Sequence, residues 1–301
     1  MLLIPLKQNN FMKKDPSILT LLVGIALLGL GLYGFMSLTE KKEDKSGFSE
    51  IINQPMSTVA PSPSPSPTPK PLTFTEMNSL YGPCTYLPVL MYHHVQTADA
   101  AKSKNQTALT VTTDVFDRQM AYLRDKGYTT TTPQDLINFF DGGSSLPAKP
   151  VLITFDDGYA DFYSDALPVL RKYSFKATVF LPTGLMNNSD YLNWSQISEA
   201  GGSGIYFANH TWSHKNVKQA TDVLKREIET ADLQLSERGL NSSKVFAYPY
   251  GFSNTDSENI LTGLGYKLAF TTKHGTALCK KLRYDLPRIR IGNSTLPSFG
   301  L

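Results

Sequence analysis

Cysteine and clustered charge are both scarce in this chain of 301 residues. Its two cysteines, Cys84 and Cys279, do not form a C-x-x-C pattern, which argues against a zinc ribbon or a dithiol redox motif. They either pair in an oxidising compartment, closing a long loop, or are two unrelated thiols. The net charge of +3 comes from scattered lysines and arginines without a sustained basic block. Nucleic acid is therefore not an expected partner.

A long uncharged run lies near the beginning of the chain. Residues 17–38 contain 22 residues without a charge, between Lys13-Lys14 and Glu40-Lys41-Lys42. As a helix the run would be roughly 33 Å long at about 1.5 Å per residue, which matches a hydrocarbon core of about 30 Å. A cleaved signal peptide and a buried core helix are the alternatives, but the run is longer than a usual signal sequence core and no A-x-A site follows it. We predict a transmembrane anchor at 17–38, after a short cytoplasmic segment at 1–16.

A proline-rich segment follows the predicted anchor. Every second residue of 61–71 (PSPSPSPTPKP) is proline, so the segment cannot form a packed core and should extend over about 34 Å as polyproline II. We interpret residues 39–86 as a linker that holds a domain away from the membrane. Such a spacer suits an enzyme that acts on a wall or envelope polymer. We therefore expect a single-pass protein of the cell membrane with an extracytoplasmic domain.

The remaining residues, 87–301, alternate between predicted strands and helices. Apolar runs predict strands at residues 88–92, 151–155, 177–181, 205–208, 245–248, 267–271 and 287–291, several of them continuous enough to be buried on both faces. Helical patterns lie between them, as at 116–123, 134–140 and 224–235. Repeated βα units predict either a parallel α/β barrel or a doubly wound sheet. The pattern alone does not choose between these two folds.

Two polar motifs each follow a predicted strand. The first is TFDDG at residues 154–158, in which Asp156 and Asp157 are adjacent. Two neighbouring carboxylates repel and are costly to bury, so a cation is the expected compensation, and Gly158 permits a sharp turn that aims both at one place. A solvated Asp-Asp-Gly turn is the alternative interpretation.

The second motif is NHTWSH at residues 209–214, which contains two of the five histidines. Four residues apart, His210 and His214 are expected on one face of a helical turn, unless they are unrelated surface histidines. One carboxylate and two imidazoles form an open site for a divalent ion. Both motifs, and the YPYG stretch at 248–251, follow predicted strands, and active sites of parallel βα folds lie at that edge.

These motifs resemble those of the polysaccharide deacetylase family, also called the nodulation-deacetylase homology domain or carbohydrate esterase family 4. Its T-F-D-D and H-[ST]-x-x-H motifs match residues 154–157 and 210–214. The resemblance implies a distorted (β/α) barrel, here of about seven strands. It also implies that Asp156 is the general base and that Asp157, His210 and His214 bind one divalent ion. Zn²⁺ is the expected ion, with Co²⁺, Ni²⁺ or Fe²⁺ as alternatives.

Two family motifs are altered in this chain. The third motif, R-x-P-Y, corresponds to AYPY at 247–250. The resemblance therefore assigns the oxyanion-binding backbone N–H to Tyr250. The arginine of this motif, which tethers the catalytic Asp in the family, is replaced here by Ala247. Arg288, on a late predicted strand, is the nearest substitute. The usual general-acid motif, L-x-H, is also not evident.

The first predicted strand indicates a different general acid. VLMYHHV at 89–95 resembles the first strand of the branch that includes poly-N-acetylglucosamine deacetylases, in which a histidine of that strand is the acid. We assign the role to His93, with His94 and then His274 as alternatives.

The resemblance implies an enzyme that removes N-acetyl groups from a polysaccharide containing N-acetylglucosamine and releases acetate. We expect it to be a monomer. An O-acetyl esterase, a non-catalytic glycan-binding module and a cyclic-amide hydrolase of the same superfamily are the alternatives. Peptidoglycan, poly-β-1,6-N-acetylglucosamine and chitin-like oligomers all present the required acetamide. The first-strand resemblance favours the second of these polymers.

Overall fold

The computed structural model describes residues 70–301. The predicted cytoplasmic segment 1–16, the predicted anchor 17–38 and most of the predicted linker lie outside the described residues. Within residues 70–301, no helix is both long enough and apolar enough to cross a membrane.

Seven parallel strands form a closed barrel. The strands of the described region are β1 (Cys84–Tyr86), β2 (Val89–Tyr92), β3 (His94–Gln96), β4 (Thr110–Thr112), β5 (Thr129–Thr130), β6 (Pro150–Phe155), β7 (Ala177–Leu181), β8 (Ile205–Asn209), β9 (Val245–Ala247), β10 (Leu268–His274), β11 (Ala277–Cys279) and β12 (Leu286–Arg290). The barrel order is β2-β12-β10-β9-β8-β7-β6, and pairing of β6 with β2 closes it. All seven predicted strands are therefore confirmed, and closure decides for the barrel over a doubly wound sheet.

The helices surround this barrel. They are α1 (Phe74–Tyr81), α2 (Ala98–Ser103), α3 (Thr113–Asp125), α4 (Pro133–Phe140), α5 (Leu167–Tyr173), α6 (Trp194–Gly201), α7 (Thr221–Ser236) and α8 (Thr255–Gly263). The predicted helical patterns correspond to α3, α4 and α7. At the start of α4, the Thr132 side chain accepts a hydrogen bond from the backbone N–H of Asp135, and Pro133 occupies the first helical position, where its missing N–H costs nothing.

Alternation along the strands separates two apolar layers. Leu152, Leu268 and Leu286 belong to a cluster inside the barrel, whereas Ile153 and Ile289 pack in a second cluster with the surrounding helices. Since side chains two residues apart on a strand point to the same face, the residues that follow Leu152 and Leu286 at that spacing also face the interior. This register points Thr154, Asp156 and Arg288 into the barrel interior, from two strands that flank β2.

The predicted linker extends too far along the chain. Helix α1 and strand β1 fall within residues 39–86, yet β1 pairs with β11 in antiparallel register, with Cys84 opposite Cys279. The two cysteines form a disulfide that spans 195 residues. Local composition could not reveal this folded segment, because its partner strand lies almost 200 residues away.

The small β1–β11 sheet lies at the end of the barrel where the strands begin. The interior cluster includes Leu278 of β11 and Leu87, which follows β1. It also includes the first residues of three barrel strands, Val89, Val245 and Leu268. These side chains close the amino-terminal end of the barrel. The opposite end, where the parallel strands finish, is the end at which the polar motifs emerge.

Candidate metal centre and catalytic residues

A sharp turn after β6 buries both aspartates. Asp157 and Gly158 have left-handed backbone angles, with φ of 71° and 64°, a conformation that glycine adopts freely and most other residues rarely. A Cβ on Gly158 would lie 2.7 Å from Leu181 Cδ2. Asp156 is 3% exposed and Asp157 is 7% exposed. The predicted turn is confirmed, and a solvated turn is excluded.

The two histidines lie in a loop after β8, not on a helical turn. Thr211 and His214 have φ values of 68° and 60°, which break helical geometry, and the Asn209 side chain accepts a 2.7 Å hydrogen bond from the Thr211 N–H. The helical-turn prediction was therefore wrong. The loop still brings the imidazoles together, with ring centroids 5.0 Å apart. Such unusual backbone angles at several neighbouring positions are typical of functional sites.

Asp157, His210 and His214 converge on one point. Oδ1 of Asp157 lies 3.3 Å from Nε2 of His210 and 3.0 Å from Nε2 of His214, and the candidate ligand atoms of all three lie within 4.8 Å of one another. Nδ1 of His210 donates a 2.8 Å hydrogen bond to the Ala247 carbonyl, which leaves the Nε2 lone pair free.

The donor set fits a divalent cation. Although Oδ1 of Asp157 is close to both imidazoles, it is buried and makes no hydrogen bond, so a buried acceptor is left without a partner at the point where the three side chains converge. Oxygen and imidazole nitrogen are ligands that suit zinc and similar ions, and three protein ligands leave positions open for water and substrate. The sequence prediction of these three residues as one cluster is therefore consistent with the geometry.

Arg288 holds Asp156 inside the barrel. Nη1 and Nη2 of Arg288 each donate a 2.7 Å hydrogen bond to one oxygen of Asp156, and Nε donates to the Thr271 carbonyl at 2.9 Å. Arg288 is fully buried. Burial raises the pKa of Asp156, but the guanidinium outweighs burial and holds that pKa below its usual value. Asp156 is thus an ionised, fixed carboxylate beside the metal centre, in the position that a general base requires.

The three candidate acid histidines have different surroundings. His93 follows β2, and the charges of Asp156 and Asp157 act on it; burial lowers its pKa, and these two carboxylates oppose the shift. His94 instead bonds Asp161, with 2.6 Å between Nδ1 and Oδ2. His274 is exposed at the end of β10. His93 is therefore within electrostatic reach of both aspartates, and its role as the general acid stays a prediction.

A strained corner after β9 carries Tyr250. This residue has φ of 62°, and Gly251 has φ of 79°; a Cβ on Gly251 would lie 2.0 Å from Thr272 Oγ1. The Tyr250 ring lies 4.8 Å from the His214 ring, centroid to centroid. The corner therefore brings the Tyr250 ring next to His214; the oxyanion role of the Tyr250 N–H stays a prediction.

Aromatic side chains around the centre divide into exposed and packed groups. Trp212, Tyr250 and Phe252 are 42%, 58% and 54% exposed, so their rings offer apolar faces to a ligand. Tyr248 is buried in the core. Tyr159 is half-buried and stacks on His94 with 3.7 Å between ring centroids. The Asp157 carboxylate adds to the effect of burial in raising the Tyr159 pKa.

Sequence reasoning missed Glu227, which anchors the histidine loop. Its carboxylate accepts 2.7 Å hydrogen bonds from the Ser213 N–H and from the Ser213 hydroxyl, and the residue is 6% exposed. Ser213 immediately precedes His214, so these bonds fix the loop that carries both imidazoles. The sequence does indicate that Glu227 is unusual, because it lies on the same face of α7 as Leu224 and Ile228, where a charged residue is unexpected.

Comparisons with known proteins give the family. A family model described as "Polysaccharide deacetylase" matches residues 143–269. The Bacillus subtilis (strain 168) protein YxkH, named as a polysaccharide deacetylase, is 32% identical over 207 residues, covering 68% of this chain and 71% of that protein. The poly-beta-1,6-N-acetyl-D-glucosamine N-deacetylase of Escherichia coli (strain K12) is 28% identical over 68% of this chain, but the match spans only 36% of that longer protein.

A solved structure agrees. The Streptococcus pyogenes deacetylase PplD, in complex with acetate, superposes with a TM-score of 0.64 and 32% identity, over 68% of this chain and 92% of that one. The two structures are therefore similar over the whole barrel and not only at the short motifs. On this evidence the chain belongs to the polysaccharide deacetylase family, carbohydrate esterase family 4.

Proposed function

We propose that the protein removes N-acetyl groups from an extracytoplasmic polysaccharide that contains N-acetylglucosamine, and that it is anchored in the membrane by residues 17–38. One observation carries the catalytic part of this proposal. A carboxylate held in its ionised form by Arg288 lies next to a convergent Asp-His-His cluster. The cluster would hold a cation, and the neighbouring Asp156 remains free to accept a proton.

Each residue of the site has a separate role in the proposed reaction. A divalent ion held by Asp157, His210 and His214 would polarise the acetamide carbonyl and lower the pKa of a bound water from 15.7 to about 7. Asp156 removes the proton from the attacking water, and the Tyr250 N–H donates to the oxyanion that forms. His93 then donates a proton to the departing sugar amine. The products are acetate and a free glucosamine unit.

A glycan substrate is supported by the exposed aromatic rings. The Tyr250 ring lies against His214, and the exposed rings of Trp212, Tyr250 and Phe252 offer apolar faces on which sugar rings stack. Within the described residues, these three are among only eight large hydrophobic side chains that are exposed, and they belong to the two segments that carry His214 and Tyr250, which favours a binding role over chance.

Export is supported by the disulfide and by the sequence of the undescribed residues. Disulfides persist in oxidising compartments and are rare in the cytoplasm, and Cys84 pairs with Cys279 here. The uncharged run 17–38 and the proline-rich spacer 61–71 agree with an anchor and a tether. Accessibility of the domain to an added protease in intact cells tests this part. Protection of the domain until the cells are lysed would contradict it.

The names of the relatives favour poly-β-1,6-N-acetylglucosamine as the polymer. The test uses the purified full chain in detergent, incubated separately with that polymer, with peptidoglycan and with chitin oligomers, and measures acetate. Asp156→Asn serves as the inactive control. Release from O-acetylated xylan but not from any N-acetylated polymer would establish the esterase alternative, and release from none would support a non-catalytic binding module.

A further inference from the structure

Asn209, the last residue of β8, has a side chain whose orientation is fixed by backbone groups on both sides. Its Oδ1 accepts a 2.7 Å hydrogen bond from the Thr211 N–H, and its Nδ2 donates a 3.1 Å hydrogen bond to the Ile228 carbonyl. A backbone N–H can only donate and a backbone carbonyl can only accept, so the amide has one possible orientation. Because Asn209 is fully buried, it connects the histidine loop to helix α7 in one defined arrangement.

The bond from Asn209 to Thr211 spans His210 and holds the loop in its unusual shape. Thr211 is β-branched and has a φ of 68°, a conformation that such residues rarely adopt. Backbone of this kind persists only where the surrounding contacts impose it. An asparagine side chain that accepts a hydrogen bond from the N–H two residues later is one such contact. The position of His210, between these two residues, therefore depends on the Asn209 side chain.

A buried tyrosine holds the other side of the Asn209 amide. Nδ2 of Asn209 lies 2.6 Å from the Tyr266 hydroxyl, and this hydroxyl lies 3.1 Å from Oδ1 of Asp232 on α7. Burial raises the pKa of Tyr266 well above its usual value, so the phenol keeps its proton. Since Asn209 donates to the hydroxyl oxygen, the hydroxyl proton is donated to the Asp232 carboxylate, which also pairs with Lys244. The hydrogen bonds therefore run in one direction, from Asn209 through Tyr266 to Asp232.

Packing alone does not account for the hydroxyl of Tyr266. The ring is 1% exposed and belongs to an apolar cluster with Leu224, Ile228 and Phe246. A phenylalanine would fill the same space, whereas a buried hydroxyl is costly unless it is hydrogen-bonded. One of its two partners is the amide of Asn209, which belongs to the metal-binding loop. The hydroxyl is therefore placed to act on that loop.

We propose that Tyr266 is a positioning residue for the metal centre and that it acts through Asn209. Without the hydroxyl, Nδ2 keeps only the Ile228 carbonyl as a partner, so the amide is held less firmly and its bond to Thr211 weakens. His210 then loses its fixed position in the metal centre. The inference rests on the metal centre of the proposed function, but it concerns metal affinity and not the reaction.

Binding of Co²⁺ to the metal-free full chain in detergent, followed by visible absorption, tests the inference. Tyr266→Phe should weaken Co²⁺ affinity about tenfold and alter the absorption band, because the position of the His210 ligand changes. Tyr284→Phe is the matched control. It removes a 2.7 Å hydrogen bond from the Tyr284 hydroxyl to the Tyr266 carbonyl at the edge of the same cluster and leaves the Asn209 amide intact. The control should keep the affinity and the absorption band of the wild type.

A double-mutant cycle distinguishes action through Asn209 from a general loosening of the domain. Asn209→Ala removes the bond to Thr211 and should weaken Co²⁺ binding at least as much as Tyr266→Phe. Combining the two should cause no further loss, because the contact that the tyrosine makes is already absent. Additive losses, or equal affinities of Tyr266→Phe and Tyr284→Phe, would reject the positioning role. The comparison of the two tyrosine variants stands even if Asn209→Ala fails to fold. A wild type that binds no Co²⁺ would overturn the metal centre of the proposed function and the positioning role with it.

Discussion

Arg288 and Asp156 form a bidentate ion pair inside the barrel although they lie 132 residues apart in the chain. In the family motif, the arginine that tethers the catalytic carboxylate precedes the Pro-Tyr pair, a position occupied here by Ala247. Strand β12 supplies the guanidinium instead; it is separated from β6 by β2 alone, so its side chain reaches Asp156 across the barrel interior. The contact between an arginine and the catalytic carboxylate is therefore present in this chain, but the arginine comes from a different place in the sequence than in the family motif.

Loss of this pair should lower turnover without loss of the metal. Arg288→Met leaves a buried carboxylate unpaired, so unfolding free energy should fall by about 3–5 kcal/mol, and kcat should fall roughly 100-fold because the base is no longer held in place. The largest influence that opposes burial is then lost, so the pKa of Asp156 rises and the acid limb of the rate profile moves to higher pH.

Two further variants separate charge from geometry. Arg288→Lys keeps the charge but loses the two-pronged contact, so it should recover only part of the rate. Arg283→Met breaks a surface pair with Asp141 and should leave the pH profile unchanged. Metal content by atomic spectroscopy and kcat against pH are the measurements. An unaltered kcat in Arg288→Met would reject the positioning role.

Mutation of the general base and mutation of the metal ligands should differ in their effect on metal content. Asp156→Asn should reduce kcat by about 10²–10⁴, the usual contribution of a positioned base, while the bound metal remains. His210→Ala and His214→Ala should lose the metal, because each removes one of three ligands. A chelator should inactivate the wild type, and added Zn²⁺ or Co²⁺ should restore it. Full metal retention in both histidine variants would contradict the assignment.

Glu227 should control metal affinity from outside the centre. Glu227→Ala removes both hydrogen bonds to Ser213, so the loop that carries His210 and His214 loses its anchor. Loss of such a supporting contact typically lowers metal affinity about 10–100-fold. Glu229→Ala, an exposed neighbour on α7, is the matched control. Competition with a metal indicator measures the affinity, and equal values for the two variants would refute the anchoring role.

Sequence reasoning located the barrel strands and the Asp-His-His cluster because both depend on local patterns. Continuous apolar runs define the buried strands, and the short motifs directly follow them. The conformation of 210–214 was not accessible in this way, since a loop with two left-handed residues is indistinguishable by spacing from a helical turn. The contact partner of Arg288 was also hidden, because barrel closure determines which side chains meet in the interior.

The amino-terminal boundary was missed for a related reason. Residues 72–86 carry no strong pattern, and they fold because β1 pairs with β11 and Cys84 bonds Cys279. Contacts across nearly 200 residues have no local signature. The anchor predicted at 17–38 lies outside the described residues and stays a prediction.

The general acid should be His93 and not His94 or His274. His93→Gln should lower kcat by about 10²–10⁴ with the metal retained, because the leaving amine then departs without a proton. His274→Gln alters an exposed side chain and should leave kcat unchanged. His94→Gln weakens a contact with Asp161 and should lower kcat less than His93→Gln does. A larger loss of kcat in His94→Gln than in His93→Gln would reverse the assignment.

The disulfide should stabilise the domain without taking part in the reaction. Removing a bond that closes a 195-residue loop should cost on the order of 2–5 kcal/mol, which lowers Tm by about 5–15 °C for a domain of this size. The double variant Cys84→Ala/Cys279→Ala should keep its kcat below the new Tm, because the β1–β11 sheet lies at the end of the barrel opposite the metal centre. A reductant should lower the Tm of the wild type to that of the variant and leave the variant unaffected. If reductant shifts neither protein, the two thiols do not pair in solution, and the support that this bond gives to an extracytoplasmic location is lost.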